Sequence, residues 1–536
     1  MPCSSRKFRC REWADSFVQK RHTGEIPLSA GGALSFDKDP RKRRIPDAAR
    51  AADAQHRFSR IYGTTHRIDM ETMTQSEATA KADMFVRKMK DAHLHPDVID
   101  TFCLYYRKVV EGDRGLIYSR DIRPVRGDEI DHLEKLGSFA KIGASARGSA
   151  VMIVLNGGLG TSMGLAGPKS LLMAREGKSF LEIICHQADR QHLRLTFMNS
   201  FNTHEATLKA LSAIRLKHPP TWFVQNKFPK ILQQGLIPVH WPANPELEWN
   251  PPGHGDLYGA IFQSGVLAHL LDMGVRYALV ANCDNLGATF DDALLGYMVE
   301  KRFPFLMEVA RRGPGDFKGG HLAVQRQTGR LLLRESAQCP DDEIAISQDI
   351  ATYHFFNTNN LWIDLAFLHD FLGRERFVRL PMILNPKTVD PRDESSPKVY
   401  QIETAMGSAI VLFEGATAVE VPLSRFYPVK KCNELLAIRS DCFLYDDDSG
   451  FRQNPERAGE PPVIDLDPKF YGLIDRFEER FPFGSPSLMR CRSLKVRGDV
   501  LFGRNVELEG DVEIINERGV QILIPDEALV AGTLYL

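Results

Sequence analysis

The chain lacks the features that mark several large classes of protein. Only nine of its 536 residues are cysteine, none forms a CxxC pair, and their number is odd. This usage argues against a disulfide framework or a zinc site and favours reduced thiols, so we expect a cytoplasmic protein. No apolar run approaches the ~20 residues that a membrane-spanning helix needs, and the N-terminus is charged where a secretion signal would be apolar.

An excess of charge of one sign is also missing. The formal net charge is -1, which excludes a strong overall attraction to nucleic acid or to an anionic membrane. Hydrophobic residues make up 43% of the chain and charged residues 26%, as is usual in globular proteins. A chain of this length is typical of two to four domains. We therefore expect a globular protein that binds neither nucleic acid nor a membrane.

The first 150 residues divide into two segments of different composition. Residues 1–74 are rich in Arg and Lys, as in "DPRKRRIPD", and have no apolar period, so we predict a basic, disordered extension. An arm that binds nucleic acid or a partner is the alternative. Residues 75–149 include "ATAKADMFVRKMKDAHLHPDVIDTFCLYYRKVVEG", in which apolar residues have helical spacing. This segment is predicted to be helical.

Residues 150–455 alternate between two patterns. The short β-branched or apolar runs "AVMIVLN", "LRLTFMNS", "TWFVQ", "YALVANCDN" and "PFLMEVA" predict strands, and stretches such as "SFLEIICHQADRQ" predict helices between them. This alternation predicts an α/β domain with a central mixed, mainly parallel sheet. Because ligands bind beyond the carboxyl ends of parallel strands, the glycines after the first run and "NCDN" are expected in one cleft.

Residues 456–536 have short β runs with Gly-Asp or Gly-Arg corners. "VRGDV" and "LEGDV" recur about twelve residues apart, twice a six-residue repeat. The repeat favours a small β-helix. Two ordinary hairpins are the alternative.

The segment "LNGGLGTSMGLAGPKS", residues 155–170, has a phosphate-binding composition but fits neither common glycine motif. A Walker loop needs glycine where Pro168 stands, and a dinucleotide loop needs glycine where Met163 stands. Glycines still let backbone N–H groups approach an anion or a flat base, and Lys169 adds a cation. A purely structural turn is the alternative.

This loop resembles the LxxGxGTxMGxxxPK signature of the UTP–glucose-1-phosphate uridylyltransferases, also called UDP-glucose pyrophosphorylases. Further stretches resemble the same family in the same order, over roughly residues 80 to 536: "MNSFNTH" (198–204), "PPGHGD" (251–256), "VANCDNLGA" (280–288), "FKGG" (317–320), "FNTNNLW" (356–362), "NPKTVD" (385–390), "QIETAMGSAI" (401–410) and "SRFYPVKK" (424–431). The number and order of the motifs make a chance similarity very improbable.

The resemblance implies a Rossmann-like nucleotidyltransferase domain followed by a left-handed β-helix domain. It also implies that UTP and glucose 1-phosphate are converted to UDP-glucose and pyrophosphate with Mg²⁺. The sugar phosphate attacks the α-phosphate of UTP in line, so no protein nucleophile is needed and catalysis depends on positioning and charge neutralisation. A UDP-sugar pyrophosphorylase of other or broader specificity, accepting galactose 1-phosphate or N-acetylglucosamine 1-phosphate, is the alternative.

The resemblance also assigns roles to single residues. Lys430 and Lys169 would be catalytic, and Asp284 would hold Mg²⁺, which prefers few carboxylates plus water and phosphates. The nucleotide would be bound by Leu155, Asn156, Gly157, Gly158, Lys169, Gln225, Gly253, Asp284 and Lys430. The sugar phosphate would be bound by His254, Asn282, Glu335, Asn359 and Lys318.

Several alternatives stay open within these motifs. Lys431 adjoins Lys430, Asn226 adjoins Gln225, and the sequence does not separate Asn357 and Asn360 from Asn359. Cys283 stands where the family usually has Ser, which suggests sensitivity to thiol reagents.

Two other classes of protein are weighed against the enzyme. A P-loop kinase or ATPase conflicts with the proline before the loop lysine, and a non-catalytic nucleotide-binding or assembly protein conflicts with the retained lysines and aspartate. In some family members the C-terminal β-helix mediates assembly, so a homo-oligomer through that region is one expected arrangement.

Overall fold

The computed structural model describes residues 75–313 and 319–536. The basic extension expected at 1–74 and the candidate residue Lys318 lie outside the described residues. Within them, no helix is long and apolar enough to cross a membrane.

The described residues form helices and strands that alternate along most of the chain. The helices are α1 (Gln75–Asp91), α2 (Pro96–Val110), α3 (Ala140–Ala146), α4 (Phe180–Arg190), α5 (His204–Leu211), α6 (Leu257–Gln263), α7 (Val266–Asp272), α8 (Asp292–Lys301), α9 (Ile344–Gln348), α10 (Leu365–Glu375), α11 (Cys432–Arg439), α12 (Pro468–Tyr471) and α13 (Ile474–Arg480).

The strands of the first part of the chain are β1 (Ile122–Pro124), β2 (Asp131–His132), β3 (Ala150–Asn156), β4 (Met173–Arg175), β5 (Lys178–Ser179), β6 (Arg194–Asn199), β7 (Thr221–Val224), β8 (Phe228–Pro229), β9 (Ile231–Leu232), β10 (Trp249–Asn250), β11 (Tyr277–Asn282), β12 (Phe305–Arg311) and β13 (His321–Gln325). The later strands are β14 (Leu331–Arg334), β15 (Phe355–Asp364), β16 (Met382–Thr388), β17 (Lys398–Thr404), β18 (Thr417–Glu420), β19 (Phe443–Asp446), β20 (Gly450–Gln453), β21 (Val463–Leu466), β22 (Ser487–Arg497), β23 (Val500–Phe502), β24 (Glu507–Ile515), β25 (Ile522–Ile524) and β26 (Leu529–Tyr535).

A large central sheet organises the fold, in the order β2-β18-β12-β15-β11-β3-β6-β7. Five of the seven pairings along this path are parallel, and β15 is antiparallel to both of its neighbours. The predicted mixed, mainly parallel α/β fold is therefore confirmed. The five strands predicted from apolar runs are β3, β6, β7, β11 and β12.

Both faces of the sheet are covered, which explains the uninterrupted apolar sequence of its strands. Every residue of β3 is buried. Alternate side chains enter two different cores, with Met152 and Val154 in one and Val151 and Ile153 in the other. A continuous apolar run in this sheet therefore indicates a strand with helices on both sides.

The N-terminal segment holds more than helices. Two helices, α1 and α2, lie where helical spacing predicts them, and their aromatic side chains pack together, with Phe85 of α1 against Phe102 of α2 at 5.1 Å between ring centroids. However, residues 75–149 also contain β1 and β2, and β2 pairs with β18 at the end of the central sheet. The segment is thus built into the α/β fold.

The C-terminal strands pair in parallel, so the hairpin alternative is wrong. β21, β22, β24 and β26 form one sheet, and β23 pairs with β25 in a second. The twelve-residue repeat is not the pairing register, because Leu494 lies opposite Val512, which is eighteen residues further on. The β-helix expected for this region stays a prediction, since two separate sheets do not establish a solenoid.

Candidate active site

The site lies where two parallel neighbours of the central sheet end. β3 and β11 are paired in register from Ala150 opposite Tyr277 to Leu155 opposite Asn282. The N–H of Cys283 then donates to the carbonyl of Leu155 at 3.1 Å. The glycine loop after β3 and the "NCDN" segment after β11 are therefore brought together, as the strand pattern predicts.

The glycine loop folds back on itself. Leu159 pairs with Pro168, and the N–H of Lys169 donates to the carbonyl of Gly158 at 3.2 Å. Gly164 has φ 76°, a value that glycine adopts without strain. A short 3₁₀ turn, Lys169–Leu171, follows, and α4 begins only at Phe180. A Walker loop runs directly into a helix, so the P-loop alternative is excluded by local structure as well as by Pro168.

Two ammonium groups and one carboxylate meet at this edge. The side chains of Lys169 and Lys430 donate to the same oxygen of Asp284, Oδ2, at 2.9 and 2.8 Å. Asp284 is 5% exposed, whereas the Lys430 side chain is 57% exposed. Burial alone would raise the pKa of Asp284, but Lys430 and Lys169 together hold it below the usual value. The carboxylate stays ionised, and the two cations lie side by side.

The other oxygen of Asp284 is buried and has no hydrogen-bond partner. Such an oxygen is costly unless something binds it. The described residues contain no group of three or more His, Cys, Asp or Glu that could hold a metal ion alone. A single available carboxylate oxygen fits Mg²⁺, which is bound through one or two carboxylates plus water and substrate phosphates.

Two of the residues predicted to recognise the base, Gly157 and Gln225, are close together. A Cβ on Gly157 would lie 2.3 Å from Nε2 of Gln225, so only glycine allows this approach. Gly253, at φ 79°, presses against β17, where a Cβ would lie 2.5 Å from the Thr404 carbonyl. The alternative Asn226 donates its side-chain N–H to Asp256 at 2.9 Å and to Gln263 at 3.2 Å. That engagement leaves Gln225 as the carboxamide beside the loop.

Two of the residues predicted to contact the sugar phosphate, His254 and Glu335, are joined by a short series of contacts. His254 Nδ1 accepts the N–H of Met406 at 3.0 Å, and burial together with Lys430 lowers the pKa of His254 to about 4, so the ring is neutral. Next to Met406, a Cβ on Gly407 would lie 3.0 Å from Asn357 Nδ2. Burial raises the pKa of Glu335 to about 7. Its carboxylate lies against Gly320, whose carbonyl accepts the Asn357 N–H at 3.1 Å.

The three asparagines of "FNTNNLW" have different environments. Asn360 is fully buried and donates to Glu308 at 3.1 Å, so it belongs to the core. Asn357 and Asn359 bond reciprocally, at 2.8 and 2.9 Å, and Asn359 is half-buried with φ 59°. Asn282 ends the neighbouring strand β11. Because Val280 pairs with Leu361 and the two strands are antiparallel, Asn282 lies near Asn359. The geometry thus separates Asn359 from Asn360.

Two predicted positions have unexpected surroundings. The Asn156 side chain is fully buried and donates to Asn199 and Thr207, both at 2.8 Å, so it points into the fold. Cys283 is 5% exposed, and burial raises the pKa of its thiol to about 12. A buried, protonated thiol reacts slowly, which argues against the expected sensitivity to thiol reagents.

Sequence reasoning missed the polar side chains behind the site. Asn285 and Arg425 lie in the quoted motifs, and Glu308 lies on β12, but nothing in the pattern identifies them as partners. In the structure Glu308 is fully buried and bound to Arg425 at 2.7 Å. The available signal is a single Glu inside the apolar run "PFLMEVA", because a buried charge requires a partner.

A glycine loop, paired lysines and an isolated buried carboxylate at the carboxyl edge of a mainly parallel sheet define a nucleotide-binding α/β protein. The family model described as UTP–glucose-1-phosphate uridylyltransferase matches residues 99–509. The chain belongs to this family.

Curated relatives and solved structures agree with the family match. The UTP–glucose-1-phosphate uridylyltransferase of Solanum tuberosum is 38% identical over 391 residues, 71% of this chain and 80% of the relative. That of Saccharomyces cerevisiae is 34% identical over 480 residues, 86% and 94% of the two chains. A mutant UDP-glucose pyrophosphorylase from Leishmania major in complex with UDP-glucose has a TM-score of 0.79 at 42% identity, covering 85% of this chain and 99% of that one.

Proposed function

We propose that the chain is a uridylyltransferase that converts UTP and glucose 1-phosphate to UDP-glucose and pyrophosphate. One observation carries the proposal beyond family membership: Lys169 and Lys430, from distant segments, share one oxygen of Asp284 at the strand ends. The two substrates are both polyanions, and an enzyme that joins them must supply cations in a fixed arrangement.

The reaction requires the protein to neutralise phosphate charge, and it requires no nucleophile or general base from the protein. An oxygen of the sugar phosphate attacks the α-phosphorus of UTP, the bond to the β-phosphate oxygen breaks, and pyrophosphate leaves. The attacking oxygen is already anionic, so no general base is required. Lys169 would neutralise the UTP phosphates, and Lys430 would stabilise charge that develops at the α-phosphate. The high exposure of Lys430 suits a residue that exchanges Asp284 for substrate.

Mg²⁺ is the proposed cofactor, held by Asp284. The buried, unpartnered Oδ1 of Asp284 supports this assignment. Asp284 would hold the ion, which would supply positive charge against the UTP phosphates. The two lysines would then keep Asp284 ionised and orient it.

The remaining residues divide between the two substrates. The Gln225 carboxamide can accept from N3–H of uracil and donate to a carbonyl, while Gly157 and Gly253 leave room for the base. Around glucose, a neutral His254 and the carboxamides of Asn282 and Asn359 supply uncharged hydrogen-bonding groups. Glu335, with its pKa near 7, can donate or accept toward a hydroxyl. Lys318 is proposed as a further phosphate contact from its motif alone.

Release of pyrophosphate from UTP tests the proposal. We expect turnover with glucose 1-phosphate and Mg²⁺, and much slower turnover with galactose 1-phosphate or N-acetylglucosamine 1-phosphate. Equal rates across these sugars would support the broader specificity. No release of pyrophosphate with any of these sugar phosphates would refute the proposed uridylyltransferase activity.

Lys430→Ala tests the carrying observation. Removing a cation that acts on the transition state is expected to lower kcat by about 10²–10³-fold with the fold intact. Lys431→Ala is the matched control: Lys431 is exposed, and its N–H bonds Glu434 at the start of α11. Full activity of Lys430→Ala would contradict its role.

Three further assignments are proposed. A left-handed β-helix over 456–536 is supported by the parallel pairing of β22, β24 and β26. Assembly through that region would appear as a dimer or larger species in light scattering. A reducing compartment is supported by the seven described cysteines, none of which is in a disulfide.

A further inference from the structure

A buried group of four polar residues lies directly behind the paired lysines. It consists of Glu308, Arg425, Asn285 and Asn360, and is named the Glu308 network below. Glu308 and Asn360 are fully buried, Asn285 is 2% exposed and Arg425 is 6% exposed. The side-chain polar groups of the four bond to protein partners, which assigns the network a structural connection to the site.

The Glu308 carboxylate is the centre of the network. It accepts two bonds from the Arg425 guanidinium, both at 2.7 Å, one from Asn360 at 3.1 Å and one from the indole of Trp362 at 2.8 Å. A buried charge with four donors is fully satisfied and is held in one orientation. Arg425 is thereby fixed to β12, and so is Asn360 of β15.

The network continues from Arg425 to the loop that carries Asp284. The main-chain carbonyl of Arg425 accepts from Asn285 at 3.1 Å and from Asn360 at 3.2 Å. Asn285 Oδ1 in turn accepts the N–H of Tyr427 at 2.8 Å. Two residues later, the N–H of Val429 donates to the carbonyl of Asp284 at 3.1 Å. Residues 425–429 are therefore tied to the Asp284 loop along their length.

Close packing reinforces these bonds. A Cβ on Gly287 would lie 2.7 Å from the Ser424 carbonyl and 2.9 Å from the Arg425 carbonyl carbon. The segment that follows has no regular secondary structure until α11 begins at Cys432. The position of Lys430 thus depends on the residues before it.

We propose that the Glu308 network positions Lys430. It holds the main chain of 424–429 against the Asp284 loop, so that the Lys430 ammonium stays at the Asp284 carboxylate. The network also joins three functional positions through their neighbours: Asn285 follows Asp284, Asn360 follows Asn359, and Arg425 precedes Lys430 by five residues. Its members are positioning residues.

This inference rests on the proposed function, and the two fail separately. Turnover by the unmodified chain establishes the function. The network is then tested in variants of the same full-length chain, so a failure there leaves the function intact.

Two variants and one control carry the test. Asn285→Ala removes the link between the loops without touching the Glu308 carboxylate, and Arg425→Lys keeps the charge but loses the two-pronged bond. We expect both to lower kcat by about 10–100-fold, because small misplacements of a catalytic group are costly. The KM for each substrate should change by less than about threefold. Arg457→Lys is the control, since Arg457 is equally buried but bonds the carbonyls of Leu488 and Cys491.

A double-mutant cycle separates positioning from general destabilisation. If the network acts through Lys430, then Asn285→Ala in a Lys430→Ala background should lower the residual rate by no more than about twofold. Radiolabelled UTP keeps that rate measurable. Additive losses, a KM increase with unchanged kcat, or rates equal to those of Arg457→Lys would each overturn the proposal. Failure of both network variants to fold, judged by thermal melting, would assign the network to core stability and also overturn it.

Discussion

At the scale of single residues, Asp256 is a buried acid beside the proposed uracil site. Its carboxylate accepts the main-chain N–H of Asn226 at 2.5 Å and the side-chain N–H at 2.9 Å. These bonds hold the residue that follows Gln225. Burial raises the pKa of Asp256 to about 6, although the bonds from Asn226 oppose the shift.

The raised pKa predicts a pH dependence of stability. The folded protein binds the Asp256 proton more tightly than the unfolded chain, whose pKa is about 3.9. The free energy of unfolding contributed by Asp256 should therefore fall as pH rises from about 4 to 6, and level off above 6. Chemical denaturation measures the free energy of unfolding of the unmodified chain and of Asp256→Asn, which cannot titrate at this position. The difference between the two should change with pH between about 4 and 6 as described. A difference independent of pH would contradict the shift.

Several candidate site residues can be named from the sequence, but the hydrogen bonds that their side chains make cannot be predicted from it. Asp284 closely follows β11, and the parallel pairing of two recognisable strands brings it beside the glycine loop after β3. Lys169 lies at the far end of that loop, and its bond to Asp284 at 2.9 Å also depends on how the loop folds back on itself. By contrast, Asn226 and Asn360 have the same side chain as plausible ligands, and only their bonds to Asp256 and Glu308 place them behind the site. Such bonds join residues tens of positions apart, and a local pattern carries no sign of them.

At the scale of elements, β15 combines core residues and a proposed site residue in one strand. Its pairing with β12 shifts register between Met307 and Val309, where the single residue Glu308 faces residues 358–360, so β15 bulges at Asn359. Asn359 adopts φ 59° there, a conformation that asparagine tolerates and β-branched residues do not. Bulges re-aim side chains near active sites, and this one turns Asn359 away from the buried Asn360.

Substitutions at Asn359 should separate the effect of its backbone conformation on stability from the effect of its carboxamide on substrate binding. Asn359→Gly fits the positive φ, so its free energy of unfolding should change by less than about 1 kcal/mol. Asn359→Val should destabilise by about 1–2 kcal/mol, because a Cβ branch is strained at this φ. Both should raise the KM for glucose 1-phosphate if the carboxamide binds the sugar. Unchanged kinetics in Asn359→Gly would remove Asn359 from the site.

Strand prediction succeeds in this fold where burial on both faces leaves an apolar run, as in β3 and β11. It is weaker at β15, where "FNTNNLW" is interrupted by polar residues because the strand supplies both the core and the site. The stretch "GAIFQSGVLAHLLDMG", residues 259–274, also has helical spacing of apolar residues, and it is helical in the structure but divides into α6 and α7 at Gly265, with φ 76°. A glycine inside a helical pattern is the local signal for that break.

At the scale of the whole molecule, one hydrophobic core continues across the domain boundary expected at residue 456. One buried cluster includes Met152 and Phe180 together with Phe477 and Leu488. Polar bonds cross the same boundary: Asn433 donates to the Ile464 carbonyl at 3.1 Å, and the Leu488 N–H donates to Asp441 at 2.8 Å. Asn433 lies in α11, directly after the proposed catalytic lysine.

The continuous core predicts that residues 456–536 and the central sheet unfold together. Exposing even three side chains such as Phe477, Leu488 and Leu494 costs roughly 5 kcal/mol, a large part of the stability of an ordinary domain. Calorimetry of the full chain should therefore show one transition for both regions. A chain ending at residue 455 should lose α11 packing, and with it the position of Lys430, so it should aggregate or melt far lower and be inactive. Two separate transitions, or an active truncated chain, would show instead that the C-terminal region is an independent unit.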